Sequence, residues 1–153
     1  MSEPAVPLAR LFALGYRVLI DGLHEELPRR GWSDVRPAFG FVLLALRDSS
    51  VSLRDLPAVL GTSKQAVSKL VDAMVAAGYV ERDADSDDAR AKRVQLSDRG
   101  RQLLATVEEI YADLEREWAA ALGEERLGRL RADLTAVLSS TAGGRLPPVR
   151  TVG

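Results

Sequence analysis

Apolar residues recur at helical spacing along most of the chain, beginning near the N-terminus. Spacings of three, four and seven residues predict an amphipathic helix over residues 7–27, ended by Pro28. Its apolar stripe consists of Leu8, Leu11, Phe12, Gly15, Val18, Leu19, Gly22 and Leu23. Gly15 and Gly22 would let another helix approach this stripe closely, because glycine has no side chain to hold it away.

Two further helices are predicted before the middle of the chain. Pro37 opens the first, at a position where its missing N–H matters little. The run AFGFVLLAL is apolar on nearly every side, which predicts a helix fully surrounded by core and ended near Asp48. Ser52 and Asp55 have the spacing of a capping box for the third helix, which stops at Gly61.

A fourth helix follows this turn directly. Thr62 and Gln65 form a second candidate capping box at its start, and Gly78 caps its end. The predicted buried stripe is Val67, Leu70, Val71, Met74 and Val75, and the other side carries Lys64, Gln65, Ser68, Lys69 and Asp72. The helix therefore has one apolar face and one polar face.

Alternating residues then predict a β-hairpin, with strands Tyr79–Arg82 and Arg93–Leu96 on either side of a polar turn. Ser97 caps a long fifth helix, and Gly123 separates it from a sixth. Leu103, Val107, Ile110, Leu114 and Trp118 form the stripe of the fifth helix, and Leu127, Leu130, Leu134 and Val137 that of the sixth. Gly and Pro residues in the tail from Thr141 predict disorder.

The order of these elements indicates the fold class, which is mainly α with a small β-hairpin. A helix, a tight turn, a helix with one polar face and a hairpin together form a winged helix-turn-helix. That device places a helix in one DNA groove and a basic finger in the next. At 153 residues the chain fits a single domain.

Overall charge does not indicate nucleic-acid binding, but its distribution does. The chain has 21 Lys and Arg against 22 Asp and Glu, for a net charge of −1. Basic residues are concentrated at 89–101, where Arg90, Lys92, Arg93, Arg99 and Arg101 face only Asp98. A locally basic patch on an otherwise acidic protein can still bind phosphates.

Absent features narrow the class of protein. The chain has no cysteine, which excludes disulfides and thiol chemistry and fits a cytoplasmic location. The N-terminus lacks the basic and apolar regions of a signal peptide, and no apolar stretch approaches the roughly 20 residues that span a bilayer. The sequence contains no phosphate loop, nucleophile motif or metal-ligand spacing, so we predict neither a cofactor nor a metal.

Two groups of residues are candidate DNA contacts. Ser63, Lys64, Gln65, Ser68 and Lys69 lie near the start of the fourth helix, where donors and acceptors reach base edges in a major groove. Arg90, Lys92 and Arg93 enter the return strand of the hairpin, and Asp88 is near enough to hold Arg90. The alternatives are a plain solvated helix face and an exposed hairpin with weak ion pairs.

This sequence resembles the MarR family of bacterial transcription regulators, which are winged-helix proteins that act as dimers. The resemblance rests on DLPAVLGTSKQAVSKLVDAMVAAGYVER at 55–82 and DSDDARAKRVQLSDRG at 85–100. The second segment matches the family pattern D-x-R-x-K-x-x-x-L-(T/S)-x-x-G at Asp88, Arg90, Lys92, Leu96, Ser97 and Gly100. With the flanking helices, the resemblance extends over residues 8–140.

The resemblance implies roles for the remaining parts. Residues 35–100 would form the DNA-binding lobe, residues 7–30 and 97–140 the dimerisation helices, and 141–153 the tail. A homodimer would place two recognition helices about one DNA turn apart on a palindromic operator. Arg90 would be the minor-groove arginine with Asp88 as its partner. Simple packing within one chain is the alternative for the flanking helices.

The resemblance also implies a repressor that responds to a small aromatic or anionic effector. Candidates for lining its pocket are Phe12, Tyr16, Trp32, Phe39 and Tyr111, with Arg17 or Arg36 as anion partners. The alternative is that these aromatic residues are core, and a regulator without an effector also stays open. His24 lies beside Glu25 and Glu26, but one histidine near a helix end is better explained as a solvated residue than as a catalytic one.

Competing functions make distinct predictions. A winged helix that docks on another protein would carry an apolar patch on its fourth helix, whereas the predicted outward residues are polar and cationic. Another winged-helix family would not need the 8–27 helix for dimerisation. No group of residues supports an enzyme. A sequence-specific DNA-binding regulator is the favoured interpretation.

Overall fold

The computed structural model describes residues 2–83 and 92–150, which form a helical protein with one small sheet. Its elements in chain order are α1 (Leu8–Arg29), α2 (Phe39–Ala45), β1 (Val51–Ser52), α3 (Leu56–Leu60), α4 (Lys64–Ala76), β2 (Val80–Arg82), β3 (Arg93–Leu96), α5 (Asp98–Leu122) and α6 (Glu124–Ser140). The predicted order of elements is confirmed, with one additional strand. No helix among the described residues is long and apolar enough to cross a membrane.

The first helix continues two residues past its predicted end and includes Pro28 in its last turn. A proline near the C-terminus of a helix removes one hydrogen bond without breaking the turns before it. The helix ends at Arg29, and Gly31, two residues further on, has a φ of 90°. The Trp32 N–H then donates to the Leu27 carbonyl at 2.9 Å, which closes the helix end.

The core lies between α2, α3, α4 and the first half of α5. Fully buried apolar side chains include Phe39, Val42, Leu43, Leu46, Leu56, Leu60, Val71, Met74, Leu103 and Ile110. Pro37 lies in a turn before α2 rather than inside it, because the Phe39 N–H bonds to Arg36 and the helix begins there. The prediction that this helix is surrounded on every side was wrong at Leu44, which is 42% exposed.

The sheet has three antiparallel strands in the order β1-β3-β2, not the two of the predicted hairpin. Val80 pairs with Leu96 in the hairpin, while Val51 of β1 pairs with Val94 on the other edge of β3. Ser52 therefore belongs to a strand and does not cap α3. Its hydroxyl still accepts the Asp55 N–H at 3.1 Å, but this bond closes a turn ahead of the helix.

The turn between α3 and α4 shifts the predicted cap by one residue. Gly61 has a φ of 68° and ends α3, and the Thr62 N–H donates back to the Pro57 carbonyl at 3.1 Å. Thr62 is thus part of the turn. Ser63 caps α4 instead, with its hydroxyl accepting the Ala66 N–H at 3.2 Å.

The long helices pack through glycine as predicted. A Cβ atom on Gly15 would lie 3.4 Å from the Trp118 ring, and one on Gly22 would lie 3.0 Å from a methyl group of Leu114. The helix that approaches α1 is thus α5 of the same chain. No described residue of α6 is fully buried.

Candidate nucleic-acid interface

The fourth helix presents a polar face because its apolar stripe is held in the core. Val67, Val71 and Met74 are buried at 2% exposure or less, which fixes the rotation of the helix. The opposite face is open, and it carries all five predicted contacts of this helix as exposed residues: Ser63, Lys64, Gln65, Ser68 and Lys69. These side chains provide hydrogen-bond donors, acceptors and positive charge on one surface.

The start of α4 is electrostatically favourable to anions. Helix N-termini carry a partial positive charge from their unpaired N–H groups, and the first turn of α4 contains no acidic residue. Lys64 adds a full charge there. Ser63 caps the Ala66 N–H, so its hydroxyl proton stays available to donate outward.

An ion pair joins the other end of this face to the hairpin. Asp72 on α4 accepts a hydrogen bond from the Arg82 guanidinium on β2. Both side chains are exposed, so the pair contributes little to stability. Its structural effect is to neutralise the one acidic group on the polar face and to tie the helix to the strand.

Two predicted DNA contacts in the described part of the hairpin, Lys92 and Arg93, have different surroundings. Lys92 is exposed, and its carbonyl accepts the Leu53 N–H at 2.9 Å. Arg93 is occupied: its Nε donates to the Ser50 hydroxyl at 2.8 Å and its Nη2 to the Ser50 carbonyl at 2.7 Å. Arg93 therefore anchors β3 to the loop before β1. Asp88 and Arg90 lie outside the described residues.

Leu96, Ser97 and Gly100 of the sequence pattern lie where β3 leads into α5. Leu96 is 3% exposed and belongs to the core. The Ser97 hydroxyl accepts the Gly100 N–H at 3.0 Å as the cap of α5 and donates to the Gly78 carbonyl. A Cβ atom on Gly100 would lie 2.0 Å from the Tyr79 carbonyl oxygen, so only glycine fits.

A polar cluster that the sequence reasoning missed locks the hairpin to the loop after α1. The buried Tyr79 donates its hydroxyl to Asp34, and Arg99 donates to the same hydroxyl at 3.4 Å. The Arg99 guanidinium lies 5.0 Å from the ring centres of both Trp32 and Tyr79. Burial, and then the bond to Asp34, raise the pKa of Tyr79 to about 12. No local pattern relates Asp34 to Tyr79.

A separate cavity of about 370 Å³ lies between α1, α2 and α5. Its walls are mostly apolar, and Tyr16, Tyr111 and Arg36 are among the lining residues as predicted. Its other lining residues include Leu19, Ile20, Leu23, His24, Gly40, Leu44, Val107, Glu108, Glu115 and Val149. This size and character suit a small organic molecule.

The other predicted pocket residues lie elsewhere. Phe39 is 1% exposed in the core, with its ring centre 6.0 Å from that of Tyr79, and Trp32 packs on the same tyrosine. Phe12 is 51% exposed on the surface of α1. Arg17 approaches Asp21 along the helix surface at 3.9 Å. Aromatic character alone did not separate core from cavity.

The ionisable groups of the cavity are affected by burial. Burial lowers the pKa of His24, opposed by the Asp21 carboxylate and a hydrogen bond with the Val35 backbone. The prediction of a solvated residue at a helix end was therefore wrong: His24 is partly buried and lies in the cavity wall. Burial, and then the nearby Tyr16, raise the pKa of Tyr111 to about 12.

Comparison with known proteins identifies the family. A family model described as the MarR family matches residues 40–91, from α2 into the hairpin. Apo wild-type MarR from E. coli superimposes with a TM-score of 0.73 at 25% identity, over 89% of this chain and 99% of that one. The exopolysaccharide II synthesis transcriptional activator ExpG of Rhizobium meliloti is 31% identical over 112 residues. The chain belongs to the MarR family.

The likeness to ExpG includes 71% of this chain and 56% of ExpG, so the chain spans just over half the length of that relative. A further MarR-like structure is MepR, a transcription regulator of the Staphylococcus aureus multidrug efflux pump MepA. It is 22% identical, with a TM-score of 0.65, over 89% of this chain and 99% of that one. The structure of this MarR-family chain is a winged helix-turn-helix with flanking helices at both ends.

Proposed function

We propose that this MarR-family protein is a sequence-specific DNA-binding transcriptional regulator. The observation that carries the proposal is the polar face of α4. The five predicted contacts at 63–69 are all exposed, while the opposite stripe is buried in the core. A helix held in this way can enter a major groove without distorting the protein around it.

The chemistry of this face suits base reading. Gln65 can bond an adenine edge through two hydrogen bonds, and Lys64 or Lys69 can reach a guanine or a phosphate. A module that docks on proteins would instead need an apolar patch on this helix, and all its outward residues at 63–69 are polar or charged apart from Ala66. The surface therefore favours DNA over a protein partner.

We further propose that the regulator binds a palindromic operator as a homodimer. Each chain carries one recognition helix, and a two-fold axis would place two of them on successive turns of the same DNA face. Exposed apolar side chains on α1 and α6 support this assembly; they include Leu11, Leu14, Val18, Val137 and Leu138. Arg90, held by Asp88, would enter the flanking minor groove, as the sequence pattern implies.

The experiment is fluorescence anisotropy of the full chain on duplex DNA from its own upstream region, across a salt series. We expect one near-palindromic duplex to bind more tightly than a scrambled duplex of equal length at every salt concentration. Equal affinity for both, falling steeply with salt, would leave only phosphate contacts and contradict sequence-specific reading.

Single substitutions distinguish base-specific recognition from general attraction to the phosphate backbone. Gln65→Ala should reduce the preference for the palindrome, with a loss of about 1–3 kcal/mol at one base position. Lys92→Gln should weaken binding to both duplexes equally and reduce the slope of log K against log salt by about one unit. Gln102→Ala, an exposed position on α5, is the matched control and should change neither quantity.

We propose that an effector binds in the cavity between α1, α2 and α5 and relieves repression. The support is a mostly apolar chamber of about 370 Å³ with Arg36 in its wall, which suits a small aromatic anion. Benzoate is a simple probe, expected to raise the melting temperature and lower operator affinity. Gly40→Leu should abolish both effects, since a Cβ atom at Gly40 meets nothing within 4 Å and a leucine there fills the cavity.

The control for this variant is Gly128→Leu on α6, where a Cβ atom also meets nothing within 4 Å. It should keep the response to benzoate. The direction of regulation needs its own test, because ExpG is by name an activator. A reporter downstream of the operator should be silenced by the intact protein and released by Gln65→Ala; silence only in the absence of the protein would indicate activation.

A further inference from the structure

The tail after α6 returns to the DNA-binding lobe. Val149 is one of the residues lining the cavity between α1, α2 and α5. The next residue, Arg150, lies over the turn between α3 and α4. A Cβ atom built on Gly61 would be 3.0 Å from Arg150 Cδ and 3.3 Å from its Cβ. Two consecutive tail residues thus contact two separate parts of the protein.

The side chain of Arg150 lies along the helix-turn-helix through its aliphatic stem. Gly61 offers a surface without a side chain, which lets the stem lie flat against the turn. None of the ion pairs among residues 2–83 and 92–150 includes the Arg150 guanidinium. The residue is exposed, so its charge is free to meet a ligand.

Arg150 lies close to the start of α4. Gly61 precedes the Ser63 cap of α4 by two residues, and Lys64 follows the cap directly. If α4 enters a major groove, the turn in front of it faces the phosphate backbone at the groove edge. Arg150 then adds a guanidinium, which binds phosphate oxygens well, beside that backbone.

We propose that residues 146–150 form an arm that is anchored by Val149 at the mouth of the cavity and carries Arg150 as a further phosphate contact. The inference rests on the proposed DNA-binding function. It assigns a binding role to a tail whose sequence predicts only disorder. Neighbouring Cα atoms are about 3.8 Å apart, so the position of Val149 at the cavity restricts the positions that Arg150 can take.

The test is the salt dependence of DNA affinity for the full chain, measured by anisotropy on the palindromic duplex and on a scrambled duplex. Arg150→Gln should reduce the slope of log K against log salt by about 0.9, the value for one phosphate contact, on both duplexes. Arg145→Gln is the matched control. It removes the same charge from the same exposed tail, five residues earlier, and should leave the slope unchanged.

Val149→Asn tests the anchor, because it keeps every charge and removes the apolar contact. We expect the slope to fall in the same direction as for Arg150→Gln. An unchanged slope for Arg150→Gln, or an equal fall for Arg145→Gln, overturns the arm; an unchanged slope for Val149→Asn overturns its anchor. These outcomes leave the proposed function standing. A wild-type protein without affinity for either duplex would instead contradict the function itself.

Discussion

The carbonyl oxygen of Tyr79 lies 2.0 Å from the place that a Cβ atom would take on Gly100. The obstacle is backbone, which cannot rotate away as a flexible side chain can. Gly100→Ala must therefore push the first turn of α5 away from the start of β2, where the Ser97 N–H bonds to the same carbonyl at 3.0 Å. We expect the free energy of unfolding to fall by about 2 kcal/mol or more, measured by urea denaturation.

Gly128→Ala is the matched control for this substitution. Gly128 lies inside α6, and a Cβ atom there meets nothing within 4 Å. Alanine should stabilise the helix by up to about 1 kcal/mol, since it has the higher helix propensity. If the Gly100 and Gly128 variants unfolded at the same urea concentration, the close approach at Tyr79 would carry no weight.

Two tyrosines give the protein a predictable response to alkaline pH. Burial is the main cause that raises the pKa of both Tyr79 and Tyr111 to about 12. An unfolded tyrosine ionises near pH 10, so the unfolded chain releases these protons first as the pH rises. The stability that the neutral hydroxyls contribute is present below about pH 10 and should be lost between about pH 10 and 12.

Unfolding measured over this range, together with tyrosinate absorbance, checks the prediction. Tyr79→Phe and Tyr111→Phe should each make the fall in stability shallower, because each removes one titrating group. Tyr79→Phe should also lower stability near neutral pH by about 1 kcal/mol, since Asp34 loses its hydroxyl donor. A high-pH absorbance transition centred near pH 10 for these residues would contradict their burial.

At the scale of the element, the structure and the sequence lead to opposite predictions about which residue caps α4. The Ser63 hydroxyl accepts the Ala66 N–H, while Thr62 is part of the preceding turn. Ser63→Ala should therefore cost about 1 kcal/mol of stability, and Thr62→Ala should cost much less. Urea unfolding of both variants decides the matter: an equal or larger loss for Thr62→Ala would restore the capping box predicted from Thr62 and Gln65.

The sequence could not choose between these neighbours, because both are good capping residues. The choice depends on Gly61, whose left-handed conformation sends the Thr62 N–H back to Pro57. The strand Val51–Ser52 was missed for a related reason. It has two residues, too few to alternate, and it exists only because Val94 lies opposite it. Long-range pairing is invisible to a local pattern.

Features of the candidate site that depend on residues close together in the sequence were predictable, and features that depend on distant contacts were not. The five residues predicted to face outward at 63–69 are all exposed, because the spacing of apolar residues along one helix determines which face is buried. The roles of Arg93 and Trp32 were not predictable. Arg93 bonds to Ser50, and Trp32 packs on Tyr79, each through a contact far along the chain. Their residue types suit both the predicted and the observed roles.

At the scale of the whole molecule, the two ends of the chain leave apolar surface uncovered. On α1, Leu11, Leu14 and Val18 recur at spacings of three and four residues and are 48%, 58% and 59% exposed. They form a stripe of their own, apart from Leu23 and Leu27 that reach the core. A stripe of this kind marks an interaction surface, and a second copy of the chain would cover it.

This surface predicts a dimer in solution, with a mass twice the 16.6 kDa of one chain, measured by sedimentation equilibrium. Leu14→Glu and Val18→Glu should each shift the protein toward monomer, because a buried, unpaired carboxylate in the interface is costly. Gln102→Glu adds the same charge at an exposed position of α5 and should stay dimeric. Far-ultraviolet circular dichroism should be unchanged in all three variants, since none of these residues belongs to the core. A wild-type monomer, or a dimer indifferent to both α1 substitutions, would place the pairing surface elsewhere and remove the basis for reading a palindrome with two linked helices.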